Sequence, residues 1–152
     1  MFKYCLWYKI HPNHIVNHTI RNYCKTLSTP LFTGHITIKT GLSLSQAEDL
    51  FETYKYHKKP TFVSYGQYIV EKTIIDNHYF FSIEQPFSID GVRIRGIHAS
   101  LAYRINVPFL ATEIKHKPLN DVIITPDDIT ICIANCSSEV INEWTIYREH
   151  KY

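Results

Sequence analysis

Apolar and polar positions alternate from the start of the chain. Tyr4, Leu6, Tyr8 and Ile10 share one face of a strand predicted over 2–10, and Lys3, Cys5, Trp7 and Lys9 share the other. His11-Pro12-Asn13 breaks the alternation, with Asn13 as the predicted N-cap of a helix. Val16, Ile20, Tyr23, Cys24 and Leu27 then recur at helical spacing until Thr29-Pro30 ends the run. A second strand follows over 34–40. Ser45 with Glu48 three residues on predicts a capping box, and Ala47, Leu50, Phe51 and Tyr54 form the stripe of a helix over 46–57. Runs rich in Val, Ile, Tyr and Phe predict strands near 61–65, 67–76 and 78–84, and a further strand covers 95–103. The segment 105–120 fits either a short helix or a loop. Residues 129–134 and 143–148 predict a closing pair of strands. Two helices set among many strands make this an α+β domain.

Nothing in the sequence marks a domain boundary, so 1–152 is read as one domain, large enough for a substantial core. An apolar content of 45% with 20% charged residues describes a folded, soluble chain, and a net charge of +2 is too mild for a duplex nucleic-acid footprint. The first ten residues are too short and too broken by lysine for a secretory leader, and no apolar run is long enough to span a membrane. A cytoplasmic location is therefore expected, with no membrane association and no obligate protein partner. In that compartment Cys5, Cys24, Cys132 and Cys136 are expected as buried thiols. The sequons at Asn17 and Asn135 carry no meaning there.

The candidate chemistry lies in two of the strands. Gly34-His35-Ile36-Thr37-Ile38-Lys39 and Gly96-Ile97-His98-Ala99-Ser100-Leu101 each place a histidine, one spacer and a hydroxyl residue in an extended run. Alternation puts His35 and Thr37 on one face, and likewise His98 and Ser100. If the strands are neighbours, one groove receives two imidazoles and two hydroxyls. One histidine can then remove a proton, the other supply one, and the hydroxyls hold phosphate oxygens. Which histidine takes which part is left open. The competing reading is of ordinary strand histidines on a polar face.

In this order of elements the chain resembles the 2H phosphoesterase superfamily, named for its paired His-x-Thr/Ser motifs. It is most similar to the LigT-like and cyclic phosphodiesterase branch. The first strand with Trp7 running into Ile10-His11-Pro12, the segment Phe32-Thr33-Gly34-His35-Ile36-Thr37-Ile38, and His98-Ala99-Ser100-Leu101-Ala102-Tyr103 carry the likeness. So do Ile131-Cys132-Ile133 and Trp144-Thr145-Ile146 near the end. The resemblance implies a two-lobed, pseudo-symmetric fold with antiparallel sheets around a central groove and helices outside. It also implies a metal-independent, cofactor-free phosphodiesterase acting on nucleotide or oligonucleotide phosphodiesters, with His35 and His98 catalytic and Thr37 and Ser100 binding phosphate. Ser100 stands where many members have threonine. The chain ends soon after its last strand, so contacts the family places beyond that point are not expected.

Trp7, on the less apolar face of its strand, is the candidate platform for stacking a base. Lys39 shares a strand face with His35 and Thr37 and could attract phosphate, and Tyr103 and Trp144 complete the candidate substrate contacts. His11, His14 and His18 are spaced for a metal, but without a nearby cysteine or carboxylate they read as solvated residues of a first helical turn. Three substrates fit the core: 2′,3′-cyclic phosphates first, then 2′–5′ oligoadenylate and cyclic dinucleotides. Abundant Ile, Lys, Asn and Tyr suggest an AT-rich genome, and a viral one would favour an immune signalling nucleotide. A non-catalytic RNA- or nucleotide-binding module is the further alternative, separated from an enzyme by turnover in EDTA.

Overall fold

The computed structural model describes residues 2–114 and 118–150. Its strands are β1 (Tyr4–Ile10), β2 (His35–Leu42), β3 (Phe62–Ser64), β4 (Ile69–Ile75), β5 (His78–Ile89), β6 (His98–Ile105), β7 (Ile123–Ile124), β8 (Ile129–Asn135) and β9 (Thr145–Glu149). The helices are α1 (Ile15–Leu27) and α2 (Leu44–Tyr54). All strand pairs are antiparallel, in the order β7-β3-β5-β6-β2-β1-β8-β9, and β4 adds to β5. The protein is thus α+β. No helix among the described residues is long and apolar enough to cross a membrane.

One junction in this sheet is nearly broken. β2 and β6 meet through the single register pair Ile36↔Ala99, whereas β1–β2 and β5–β6 pair over much longer stretches. Two sets of strands therefore hinge on the two histidine strands. α1 packs against β6, and α2 packs against β1 and β8. The main core lies beneath them, with Leu6, Ile10, Ile20, Tyr23, Phe51 and Ile83 among its buried members. The other face of β1 is buried too: Cys5 and Trp7 pack with Cys132, Ala134 and Cys136 in a second cluster. A strand between two neighbours, covered on both faces, has no truly polar side. Cys5, Cys132 and Cys136 are buried, Cys24 is half-buried, and all four are free thiols.

Local start signals were displaced by one or two residues. α1 is capped by His14, not Asn13: its Nδ1 accepts the Val16 amide at 3.1 Å, and its Nε2 bonds the Ile123 carbonyl at 3.0 Å. That cap ties the helix to β7, a tertiary contact that local sequence does not encode, and it uses both ring nitrogens of one candidate metal ligand. The capping box is Ser43 with Gln46, since glutamine reaches back to the cap amide as well as glutamate does. β5 continues through Pro86 to Ile89 because the proline stands where the strand exchanges β4 for β3 as its partner, so a missing amide breaks no ladder. Within 105–120 the backbone forms a short 3₁₀ turn at Ala111–Glu113, and 115–117 lie outside the described residues.

Candidate active site

The pair Ile36↔Ala99 determines what the two motif strands can build. Continued one residue either way, the antiparallel register sets His35 opposite Ser100 and Thr37 opposite His98. Directly opposed side chains stand about 5 Å apart at Cβ, and diagonal ones about 7–8 Å. Two imidazoles on that diagonal can both reach one phosphate. His35, Thr37, His98 and Ser100 do line a single pocket of about 210 Å³, together with Tyr103 and Trp144.

Both strands are distorted just after the motif, and in the same way. Trp7 pairs with Thr37 but Leu6 with Lys39, so Ile38 is an extra residue in β2. Glu84 pairs with Ser100 but Ile83 with Ala102, so Leu101 is an extra residue in β6. An extra residue resets the alternation of side chains. In β6 this turns Tyr103 toward the pocket, and in β2 it turns Thr40 in and Lys39 out. Lys39 faces a separate surface hollow with Gln46 and Asp49, so its expected place beside the histidines is corrected. The bulge was not visible in the period-2 pattern.

The histidines are held alike. His35 Nδ1 donates to the Thr33 carbonyl at 2.7 Å, and His98 Nδ1 donates to the Gly96 carbonyl at 2.8 Å, each two residues upstream. A carbonyl can only accept, so both rings carry Nδ1–H, and Nε2 is the nitrogen left without a backbone partner. Gly96 adopts φ +95°, a conformation costly for any side chain, to turn its carbonyl toward the ring. Gly34 serves differently: it lies against Asn17, whose Oδ1 accepts the Gly34 amide at 2.8 Å.

Their surroundings differ. His35 is 4% exposed, stacks on Trp7 with centroids 3.5 Å apart and planes 9° from parallel, and has the edge of Phe32 nearby. Burial pushes its pKa down to about 4, with a smaller push from His98. Stacking on indole would favour the imidazolium by about 1–2 kcal/mol. A shift from 6.5 to about 4 is worth about 3 kcal/mol the other way, so burial wins and the ring is neutral. Trp7, itself 3% exposed, is thus a partner of His35 and not the open base platform expected.

His98 is more open, and its Nε2 lies 3.3 Å from Glu84 Oε2. Glu84 also accepts a hydrogen bond from Ser82 Oγ at 2.7 Å, and burial holds its carboxyl above the usual range. Ser82 and Glu84 were read only as part of an aromatic-rich strand. Their i, i+2 spacing placed them on one face, but only the pairing of Glu84 with Ser100 brings that face to the histidine. Tyr103 is buried, with its phenol pushed up by desolvation, and contacts Phe32, Phe80 and Trp144. Trp144 is fixed by its indole N–H, which donates to the Ser138 carbonyl at 2.9 Å.

No protein-family model, curated protein or solved structure matches the chain.

Proposed function

We propose that the protein is a metal-independent nucleotide phosphodiesterase of the 2H type, using His35 and His98 as acid and base and Thr37 and Ser100 to hold phosphate oxygens. The observation that carries this reading is the convergence of both imidazoles on one pocket, each with its Nδ1 held by a carbonyl two residues upstream, which leaves Nε2 for chemistry. The matched bulges and carbonyl bonds support treating the two strand sets as pseudo-symmetric lobes of that architecture. Proton carriers and hydroxyls already supply acid, base and charge stabilisation, so no metal or cofactor is assigned a part.

A 2′,3′-cyclic phosphate is the preferred substrate, because a pocket of about 210 Å³ is smaller than most ligand pockets and suits a ribose phosphate with its base outside. The second reading is a larger signalling nucleotide, 2′–5′ oligoadenylate or a cyclic dinucleotide. It is favoured by an apolar cleft of about 720 Å³ that has Tyr103 in its lining in common with the histidine pocket. Reduced thiols and a nucleotide substrate fit the cytoplasm as its setting.

The test is a panel of 2′,3′-cyclic AMP, 2′–5′ oligoadenylate and mixed-linkage cyclic dinucleotides, incubated with the protein in EDTA and resolved by chromatography. Opening of the cyclic phosphate is expected. No cleavage of any of them by folded protein would leave the binding-module alternative.

A further inference from the structure

The two motif strands share a bulge and a carbonyl-held histidine, and they differ in the residue paired beside the bulge. Trp7 on β1 pairs with Thr37, and Glu84 on β5 pairs with Ser100, so these residues occupy equivalent positions beside the bulge of each motif strand. Each touches the histidine of its own lobe. One lobe thus offers its imidazole an apolar ring, and the other offers a carboxylate.

The hydrogen bonds make this difference chemical. His98 Nδ1–H is already committed to the Gly96 carbonyl, so a neutral ring would point the Nε2 lone pair at Glu84. Lone pair against carboxylate is repulsive, and the contact is favourable only with a proton between the two groups. That proton is held whether it sits on nitrogen or on oxygen. Ser82 Oγ donates to the same oxygen, Glu84 Oε2, at 2.7 Å and so fixes the carboxylate beside His98. Among the described residues no carboxylate contacts His35, whose ring lies on Trp7 and whose Nδ1–H is held by the Thr33 carbonyl, which leaves the lone pair on Nε2.

We propose that Glu84 is a positioning residue that keeps a proton on His98, and that the Trp7/Glu84 difference makes His35 the base and His98 the acid of the first step. This rests on the phosphodiesterase reading. As the nucleophile's oxygen bonds to phosphorus, its proton passes to His35 Nε2. As the bond from phosphorus to the leaving ribose oxygen breaks, that oxygen keeps the electron pair and takes the proton from His98 Nε2. The enzyme ends with His35 charged and His98 neutral, and exchange with water restores both. The titratable groups that share the pocket with His98 are Glu84 on β5, His35 on β2, Tyr103 on its own strand, Cys5 on β1 and Cys136 just after β8, with Glu71 on β4 acting on Glu84. Among them Glu84 supplies the direct contact.

Two measurements test the assignment. In the first, ¹⁵N-histidine NMR follows both rings through a pH titration without substrate. At neutral pH His35 should show a bare Nε2 and His98 a protonated or proton-sharing one. In Glu84→Gln the His98 Nε2 signal at neutral pH should move toward that of a bare nitrogen, with the His35 signals unmoved. In the second, turnover of uridylyl-3′,5′-uridine, whose leaving alkoxide needs a proton, is compared with that of uridine 3′-(4-nitrophenyl phosphate), whose leaving group does not. Glu84→Gln should lose about tenfold on the first ester, with the alkaline limb moved to lower pH, and His98→Ala about a hundredfold. Both variants should lose less on the nitrophenyl ester than on the first ester, while His35→Ala stays about a hundredfold down on both. Protons found the other way round, or rescue of His35→Ala instead, would overturn the assignment and leave the reading intact. Protons placed as stated in a folded protein that turns over no diester would overturn the phosphodiesterase reading and these roles with it.

Discussion

Gly34→Ala is a substitution of one methyl group whose cost can be worked out in advance. A Cβ at Gly34 would lie 2.6 Å from Asn17 Oδ1, 3.1 Å from Asn17 Cγ and 3.1 Å from Ile20 Cδ1. Asn17 cannot retreat freely, because its amide donates to the carbonyls of Ile10 at 3.2 Å and His11 at 2.9 Å while its oxygen accepts the Gly34 amide. These bonds tie the start of α1 to the end of β1 and to the residue before His35. Forcing a methyl into such a site costs about 1–3 kcal/mol, and each hydrogen bond stretched away costs about 1 kcal/mol more. A total of roughly 2–4 kcal/mol follows, which lowers Tm by about 5–15 °C in a chain of this size. Thermal unfolding followed by circular dichroism measures it, in a double-mutant cycle with Asn17→Ala. Removing the asparagine side chain vacates the space the methyl needs, so the double variant should be more stable than the sum of the singles by about 1–3 kcal/mol. A Gly34→Ala protein within about 0.5 kcal/mol of the parent, or strict additivity in the cycle, would refute the reasoning.

His35 should make stability depend on pH. Its folded pKa of about 4 lies below the unfolded 6.5, so the unfolded chain binds the extra proton between those values; stability is full above 6.5 and falls by up to about 3 kcal/mol as pH drops to 4. Urea melts across that window should lose this slope in His35→Gln, and an unchanged slope would show that the ring does not carry it. His35→Ala and His98→Ala should each cost about a hundredfold or more in turnover of 2′,3′-cyclic AMP, with circular dichroism spectra retained; Thr37→Ala and Ser100→Ala should cost less. Lys39→Ala, whose side chain faces away from the histidines, should stay within about twofold of the parent by kcat/KM, since exposed charges outside a site change little. Turnover should persist after dialysis against EDTA, and its loss with recovery on adding a divalent cation would show a metal requirement.

Much of this organisation was written locally in the chain. Periodicity located both helices and most strands, because burying one face demands apolar residues at 3.6 or 2.0 spacing wherever the element ends up. The His-x-hydroxyl spacing put each imidazole and its hydroxyl on one face for the same reason, and the glycines upstream of both motifs have backbone duties that only glycine performs there. What the sequence could not express was pairing between distant segments. Whether β2 and β6 were neighbours rested on the single contact Ile36↔Ala99. The bulges at Ile38 and Leu101 appear only when a partner strand is one residue shorter over the same length, and they decided that Thr40 and Tyr103 face the pocket while Lys39 does not. From its own strand Trp7 reads as a free platform, because one strand cannot show that β2 lays an imidazole over it. Glu84 carries no local signal, because its meaning comes from the residue opposite. Side-chain alternation is a property of one segment, whereas register, burial on both faces and proton sharing exist only between segments, and tertiary structure alone decides those.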